Sequence, residues 1–147
     1  MKLSKNDDIK LNIDSLTSEG SGIGRFDGFA VFVRGVVPGD EVVAHIIKCS
    51  KNYAIGVVKD IIKPSKFRIE SDCPVSSKCG GCSFRNVSYD EELRYKKGRV
   101  QDALERIGKL DIEVEEIIGA DKCSHYRNKA QYPVSICDGE LFAGFYA

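Results

Sequence analysis

No stretch of this sequence approaches the roughly 18 consecutive apolar residues that a membrane-crossing helix needs. The first ten residues, MKLSKNDDIK, carry charges where a secretory leader would have an apolar core. Neither sign of charge is in excess: 22 Lys and Arg face 22 Asp and Glu, for a formal net charge of +0. A transmembrane span, a leader and a global attraction to polyanions are therefore not expected, and a cytoplasmic location is. A nucleic-acid partner would have to be met by a local basic patch. What is present, 42% hydrophobic and 30% charged residues in a chain of 147, is the composition of a globular protein with one ordinary domain or two small ones.

Six cysteines stand out in such a chain. In a reducing compartment they point to metal binding before disulfides. Three of them, Cys73, Cys79 and Cys82, fall in CPVSSKCGGC. The paired glycines allow a tight wrap that aims backbone amides at a sulfur, an arrangement that suits an iron–sulfur cluster. Zinc, reduced structural thiols and adventitious disulfides stay open beside it. A cubane cluster needs four ligands, and the fourth is not in this stretch. Cys49 and Cys137 read as small packing residues.

The first sixty or so residues alternate apolar runs with glycine-rich turns. KLNIDSL, FAVFV, EVVAHIIK and NYAIGVVKDII read as strands. Asp27-Gly28 and the Val-Pro-Gly-Asp at 37–40 are turns. An antiparallel barrel of about five strands is expected from about Ile9 to Ile62, with Gly20 to Gly24 at a turn or bulge and no helix before Pro64. Ser88-Tyr-Asp-Glu91 is a capping box opening a helix. Leu93, Val100, Leu104 and Ile107 recur at helical spacing, and Gly108 is a natural stop. DIEVEEIIG, HYRNKAQYPVSIC and ELFAGFYA read as three further strands, the last two a hairpin about Asp138-Gly139. The chain closes on an apolar run with no polar tail, and reads as a piece cut inside a domain.

EGSGIGRFDGFAVFV followed by VVPGDEV resembles a TRAM domain, a small OB-like β-barrel that binds RNA. CPVSSKCGGCSFRNVSYDEELRYKKGRVQDALERIG, HYRNKAQYPV and GFYA resemble the cluster loop, helix and central domain of the uracil-C5 RNA methyltransferases. The resemblance implies a β-rich α+β fold: a TRAM barrel over 1–65, then over 66–147 an iron–sulfur loop, one helix and the start of an α/β central RNA-binding domain. It also implies a 4Fe-4S cluster on Cys73, Cys79 and Cys82, and methylation of uridine in ribosomal RNA with S-adenosylmethionine as donor. In that family the fourth cluster cysteine follows the GFY segment, beyond Ala147, and Cys123 stands where the family does not use it. The loop is thus expected to hold a damaged cluster, to recruit Cys123 or to be empty. The donor site and catalytic residues belong to a C-terminal domain, so no catalytic residue is assigned here.

On this reading the chain grips RNA. Arg25, Phe26, Phe32, Arg34, Lys48, Lys51 and Tyr53 are the barrel's candidates, aromatics for bases and cations for phosphates. Phe32 could equally be core. Arg127 and Lys129, on one face of an expected strand beside Tyr126, are candidates in the second part, with a solvated strand face as the plain alternative. A stand-alone TRAM-type RNA-binding module with a metal loop, a transfer-RNA-directed enzyme and a small iron–sulfur electron carrier are the competing readings.

Overall fold

The computed structural model describes residues 3–146. Two compact units divide them. The first takes in residues 3–72 and Ser83–Ser88, and the second Cys73–Cys82 with the chain from Tyr89 on. The first unit thus extends past residue 65, the boundary expected from sequence.

The first unit is a closed five-stranded barrel in the order β1-β2-β3-β5-β4. Its strands are β1 (Asp8–Leu16), β2 (Gly22–Phe26), β3 (Phe29–Arg34), β4 (Glu41–Cys49) and β5 (Tyr53–Lys63). Among the described residues no helix precedes Pro64. The barrel is not wholly antiparallel as expected: β3 and β5 pair in parallel, and this pair completes the closure. A closed barrel leaves no free edge to be managed.

Strand alternation fills the interior with Leu11, Ile13, Val31, Val33, Val42, Ala44, Ile46 and Ala54, all buried. Asp27 and Gly28 both take positive φ, 48° and 80°, as a two-residue hairpin turn matched to strand twist requires. The start of the Gly20–Gly24 stretch is a turn, and its end, Ile23–Gly24, faces the register irregularity of β1 between Ile13 and Ser15, as the expected turn or bulge requires. Gly22 and Gly24 lie inside β2, where a Cβ would come within 2.2 Å of Val36 and 2.4 Å of the Asn12 carbonyl. These two glycines let neighbouring chain close over β2, so the G-x-G spacing follows from packing.

Beyond β5 the chain returns to the barrel. Arg68 and Val87 form an antiparallel bridge, and the Ile69 N–H donates to the Asn86 carbonyl at 3.0 Å. Asp72 and Arg85 form an ion pair. Residues 68–72 and 83–87 therefore make a short stem for the cysteine-bearing segment between them. The Ser88 N–H donates to the Phe67 carbonyl at 2.8 Å. The reciprocal arm of the expected capping box is thus taken by backbone, and Glu91 instead accepts from Nε of Arg94 at 2.7 Å.

In the second unit α1 spans Tyr89–Asp102 and runs into one wide π turn over Ala103–Ile107. Gly108 keeps right-handed helical angles, φ −72°, and Lys109 takes the left-handed conformation, φ 55°. The stop is displaced by one residue from the glycine. Strands β6 (Val134–Cys137) and β7 (Glu140–Ala143) form the expected hairpin, with Asp138 and Gly139 at positive φ.

The first of the three expected strands, 111–119, and the leading part of the second, 125–133, are irregular. A strand needs a neighbour for its amides and carbonyls, and side chains of α1 fill that role for the first of them. Gln101 donates to the Ile112 carbonyl at 3.0 Å and accepts from the Val114 N–H at 2.7 Å. Lys97 Nζ donates to the Glu115 carbonyl at 2.8 Å, and the Ala120 N–H donates to Tyr89 Oη at 2.7 Å.

Candidate nucleic-acid interface and cysteine loop

With Val31 and Val33 turned inward, Phe32 and Arg34 project from the outer face of β3, and Phe32 is no core residue. Pairing then runs a row across four strands: Ile23 of β2 opposite Phe32, Phe32 opposite Ile55 of β5, and Ile55 opposite Lys48 of β4. Residues that pair laterally share a face. In the adjacent row Arg25 pairs with Ala30 and Ala30 with Tyr53. Arg34 pairs with Val57 on the other side. The Phe32 and Tyr53 rings meet edge to face, centroids 5.7 Å apart at 72°.

The topology therefore gathers Arg25, Phe32, Arg34 and Lys48 with Tyr53 on one outer face, and Lys51 stands in the exposed β4–β5 turn beside it. Phe26 does not join them, because it packs against the core cluster. Sequence reasoning passed over Ile23, Ile55 and Val57, although the period-2 alternation of their strands marks them as outward-facing.

The surface combines half-exposed rings, aliphatic side chains and cations on a closed scaffold, a combination suited to stacking bases while pairing phosphates. Nearby, Asp8 on β1 accepts from Lys59 and lies 2.7 Å from Nδ1 of His45. The bond from Lys59, then that from His45, hold the exposed Asp8 carboxyl below its usual value. Lys59 is therefore an engaged cation, unlike Lys48.

Arg127 and Lys129 lie in irregular, exposed chain, so no strand pleat puts them on one face. Arg127 stands over the Tyr126 ring, 5.9 Å from its centroid. Its aromatic partner is thus the neighbour in sequence, within cation–π reach.

In the cysteine segment the Ser76 N–H donates to the Cys73 carbonyl at 3.2 Å, and the Cys79 N–H to the Val75 carbonyl at 2.8 Å. The Gly81 N–H donates to Cys79 Sγ at 3.4 Å, the amide-to-sulfur contact that the glycine pair was expected to allow. Gly81 packs close to Phe145, where a Cβ would come within 2.8 Å of the ring, and the Gly80 N–H donates to the Tyr146 carbonyl at 2.9 Å. The expected convergence of Cys73, Cys79 and Cys82 is absent: among the described residues no three Cys, His, Asp or Glu side chains gather as a metal set. Three soft sulfurs and an amide aimed at one of them fit the chemistry of an iron–sulfur ligand loop, but the thiols would have to close on one another to share a metal.

Residues 6–59 match the family model described as TRAM domain. A protein of Listeria monocytogenes (strain F2365), named an uncharacterized RNA methyltransferase, is 46% identical over 144 residues, covering 98% of this chain and 32% of that protein. A protein of the same description from Clostridium tetani is 44% identical over 143 residues, covering 97% and 31%. The chain thus spans about a third of the length of the curated relatives it matches. Among solved structures, a tRNA (uracil-54, C5)-methyltransferase of Pyrococcus abyssi in complex with S-adenosyl-L-homocysteine aligns over 71% of this chain and 22% of its own. Its TM-score is 0.43 and its identity 23%. Among the described residues no helix is long and apolar enough to cross a membrane.

Proposed function

We propose that this chain, whose residues 6–59 match the TRAM domain family model, is the RNA-gripping part of a cytoplasmic RNA (uracil-5-)-methyltransferase acting on ribosomal RNA. The observation that carries the reading is the outer barrel face, where Phe32 and Tyr53 lie among Arg25, Arg34 and Lys48. Bases of an unpaired segment would stack on the two rings, and the three cations would take the flanking phosphates. Lys51, in the exposed turn, extends the basic rim, and Arg127 and Lys129 belong to the same reading as phosphate contacts in the second unit. The likeness of nearly all of this chain to about a third of proteins named RNA methyltransferases supports the assignment to methyl transfer.

S-Adenosylmethionine would supply the methyl group, and no catalytic residue is assigned to this chain. Cys73, Cys79 and Cys82 would be ligands of a 4Fe-4S cluster. Metal binding commonly completes such a site from an open one, because binding and local folding are coupled. Methyl transfer moves no net electrons, so the cluster's part would be to fix a segment that has little regular structure of its own.

The test is nucleoside mass spectrometry of ribosomal and transfer RNA from cells with and without the gene. Loss of one 5-methyluridine from ribosomal RNA is expected. Loss from transfer RNA alone would move the substrate, and no loss from either would overturn the reading. Iron and sulfide per chain, measured under anaerobic conditions, address the cluster separately. Stoichiometric zinc without iron would remove it.

A further inference from the structure

The outer face of β1 carries an open pocket of about 260 Å³ lined by Lys10, Leu11, Asn12, Asp14, Arg25 and Glu41. It is continuous with the ring-bearing face. Asn12 pairs with Glu41 on β4, and stands next to the Ile13–Gly24 pair, hence beside Arg25 on β2. Arg25 in turn pairs with Ala30, and Ala30 with Tyr53. One line across the sheet thus runs from Tyr53 through Arg25 to Glu41. Asp14 lies at the irregularity of register between Ile13 and Ser15, which interrupts the regular ladder beside the pocket.

Two carboxylates and two cations line this small space without pairing. Among the described residues, Lys10, Asp14 and Glu41 have no ion-pair partner, and Arg25 reaches only the Gly28 carbonyl, at 3.4 Å. Opposite charges that share a pocket and leave one another free are available to a ligand that presents both donors and acceptors. A phosphate would meet the two carboxylates unfavourably, whereas a nucleobase offers both kinds of group.

We infer that this pocket reads one unpaired guanine of the bound RNA, an inference that rests on the RNA-gripping reading of the adjoining face. Guanine is the one base whose Watson–Crick edge sets two donors side by side, N1–H and N2–H2, so that a single carboxylate can accept both. Adenine and cytosine place an acceptor next to their amine, and uracil flanks its N–H with two carbonyls. Each of these would turn a lone pair toward Asp14 or Glu41. The O6 and N7 acceptors of guanine suit Lys10 and Arg25, which on this inference turns to the base and leaves the flanking phosphates to Arg34 and Lys48.

The experiment measures fluorescence anisotropy of the 147-residue chain with uridine oligomers that carry one central guanine, hypoxanthine, adenine or cytosine. The guanine oligomer should bind about tenfold more tightly than the adenine or cytosine one. Hypoxanthine, which lacks the N2 amine, should fall between. Asp14→Asn with Glu41→Gln should bring the guanine oligomer down to the affinity of the others. Base-indifferent binding, or a preference that survives both substitutions, overturns the inference while leaving the ring-bearing face intact. Binding of no oligomer overturns both. Because the hypoxanthine comparison uses the unaltered protein, a variant that fails to fold cannot hide the answer.

Discussion

Arg68 closes on the carboxylate of Asp40 from a position 28 residues further along the chain, with Nε 3.2 Å from Oδ1 and Nη2 on Oδ2. The same carboxylate accepts from the Val37 N–H at 2.7 Å and the Ser65 N–H at 2.8 Å. All the acceptor capacity of a fully buried charge is thus used, which makes the site tolerable inside the protein. It also joins the turn before β4 to the segment that leads into the cysteine stem.

Asp40→Asn should lower the stability of the first unit by about 3 kcal/mol, because it leaves the Arg68 cation without its partner. Burial acts to raise the Asp40 pKa, but the Arg68 hydrogen bond and the Ser65 and Val37 amides outweigh it and hold the carboxyl below its usual 3.8. A depressed carboxyl pKa gives stability that is complete above the unfolded value and lost as pH falls through the folded one. Urea midpoints of the parent should therefore hold near neutrality and drop below about pH 4. The asparagine variant should show a lower midpoint and a shallower acid limb. An unchanged acid limb would detach the pair from stability.

For RNA binding, Phe32→Ala and Tyr53→Ala should each weaken affinity for a single-stranded oligomer by about 1–3 kcal/mol, the worth of one stacked base. Neither should change the salt dependence. Arg34→Ala and Lys48→Ala should do the converse, reducing the log–log salt slope by about 0.7 for each phosphate contact removed. Equal effects on slope from rings and cations would contradict the division of roles on this face.

Much of this face was legible in the chain. Alternation in β3 and β5 separates Val31 and Val33 from Phe32 and Arg34, and the Asp27-Gly28 signal fixes the β2–β3 hairpin. The parallel β3–β5 pair was not legible, since strand order is set by closure and no local pattern encodes it. The inward glycines of β2 looked like turn residues because their reason, the approach of Val36 and Asn12, is tertiary. Residues 111–119 have strand composition but, among the described residues, pair with no strand, and side chains of α1 take some of their backbone groups. The thiols of the cysteine segment advertised a shared ligand through their spacing alone, and spacing does not fix where sulfurs point.

Gly81→Ala should disturb the cysteine loop, because the added methyl would stand 2.8 Å from the Phe145 ring. Overpacking of this kind costs about 1–3 kcal/mol locally. The amides of Cys79 and Gly81 should then exchange faster with solvent, and Cys79 should react faster with a thiol reagent once the Gly81 N–H leaves its sulfur. Phe145→Ala alone should open the loop less, and in combination with Gly81→Ala it should remove most of the effect. Strict additivity of the two changes would mean that the ring does not confine the glycine.

Gln101 bonds to the irregular segment with both ends of its amide, taking the Val114 N–H on Oε1 and giving Nε2 to the Ile112 carbonyl. An alanine there cannot replace either bond, and α1 keeps its own backbone hydrogen bonds because alanine is the better helix former. Gln101→Ala should therefore leave the helical circular dichroism unchanged while amide exchange at Val114 rises by about tenfold, the loss of one net hydrogen bond and its partner. Gln101→Glu keeps only the acceptor, since it gives up Nε2 and with it the donations to the Ile112 carbonyl and the Glu105 carboxylate. Its carboxylate can still accept from Val114 but has no donor for Ile112, so exchange at Val114 should stay closer to that of the parent. If Val114 exchanges equally fast in all three proteins, the segment is held by something other than Gln101. Lys97, whose Nζ donates to the Glu115 carbonyl, is then the residue to remove.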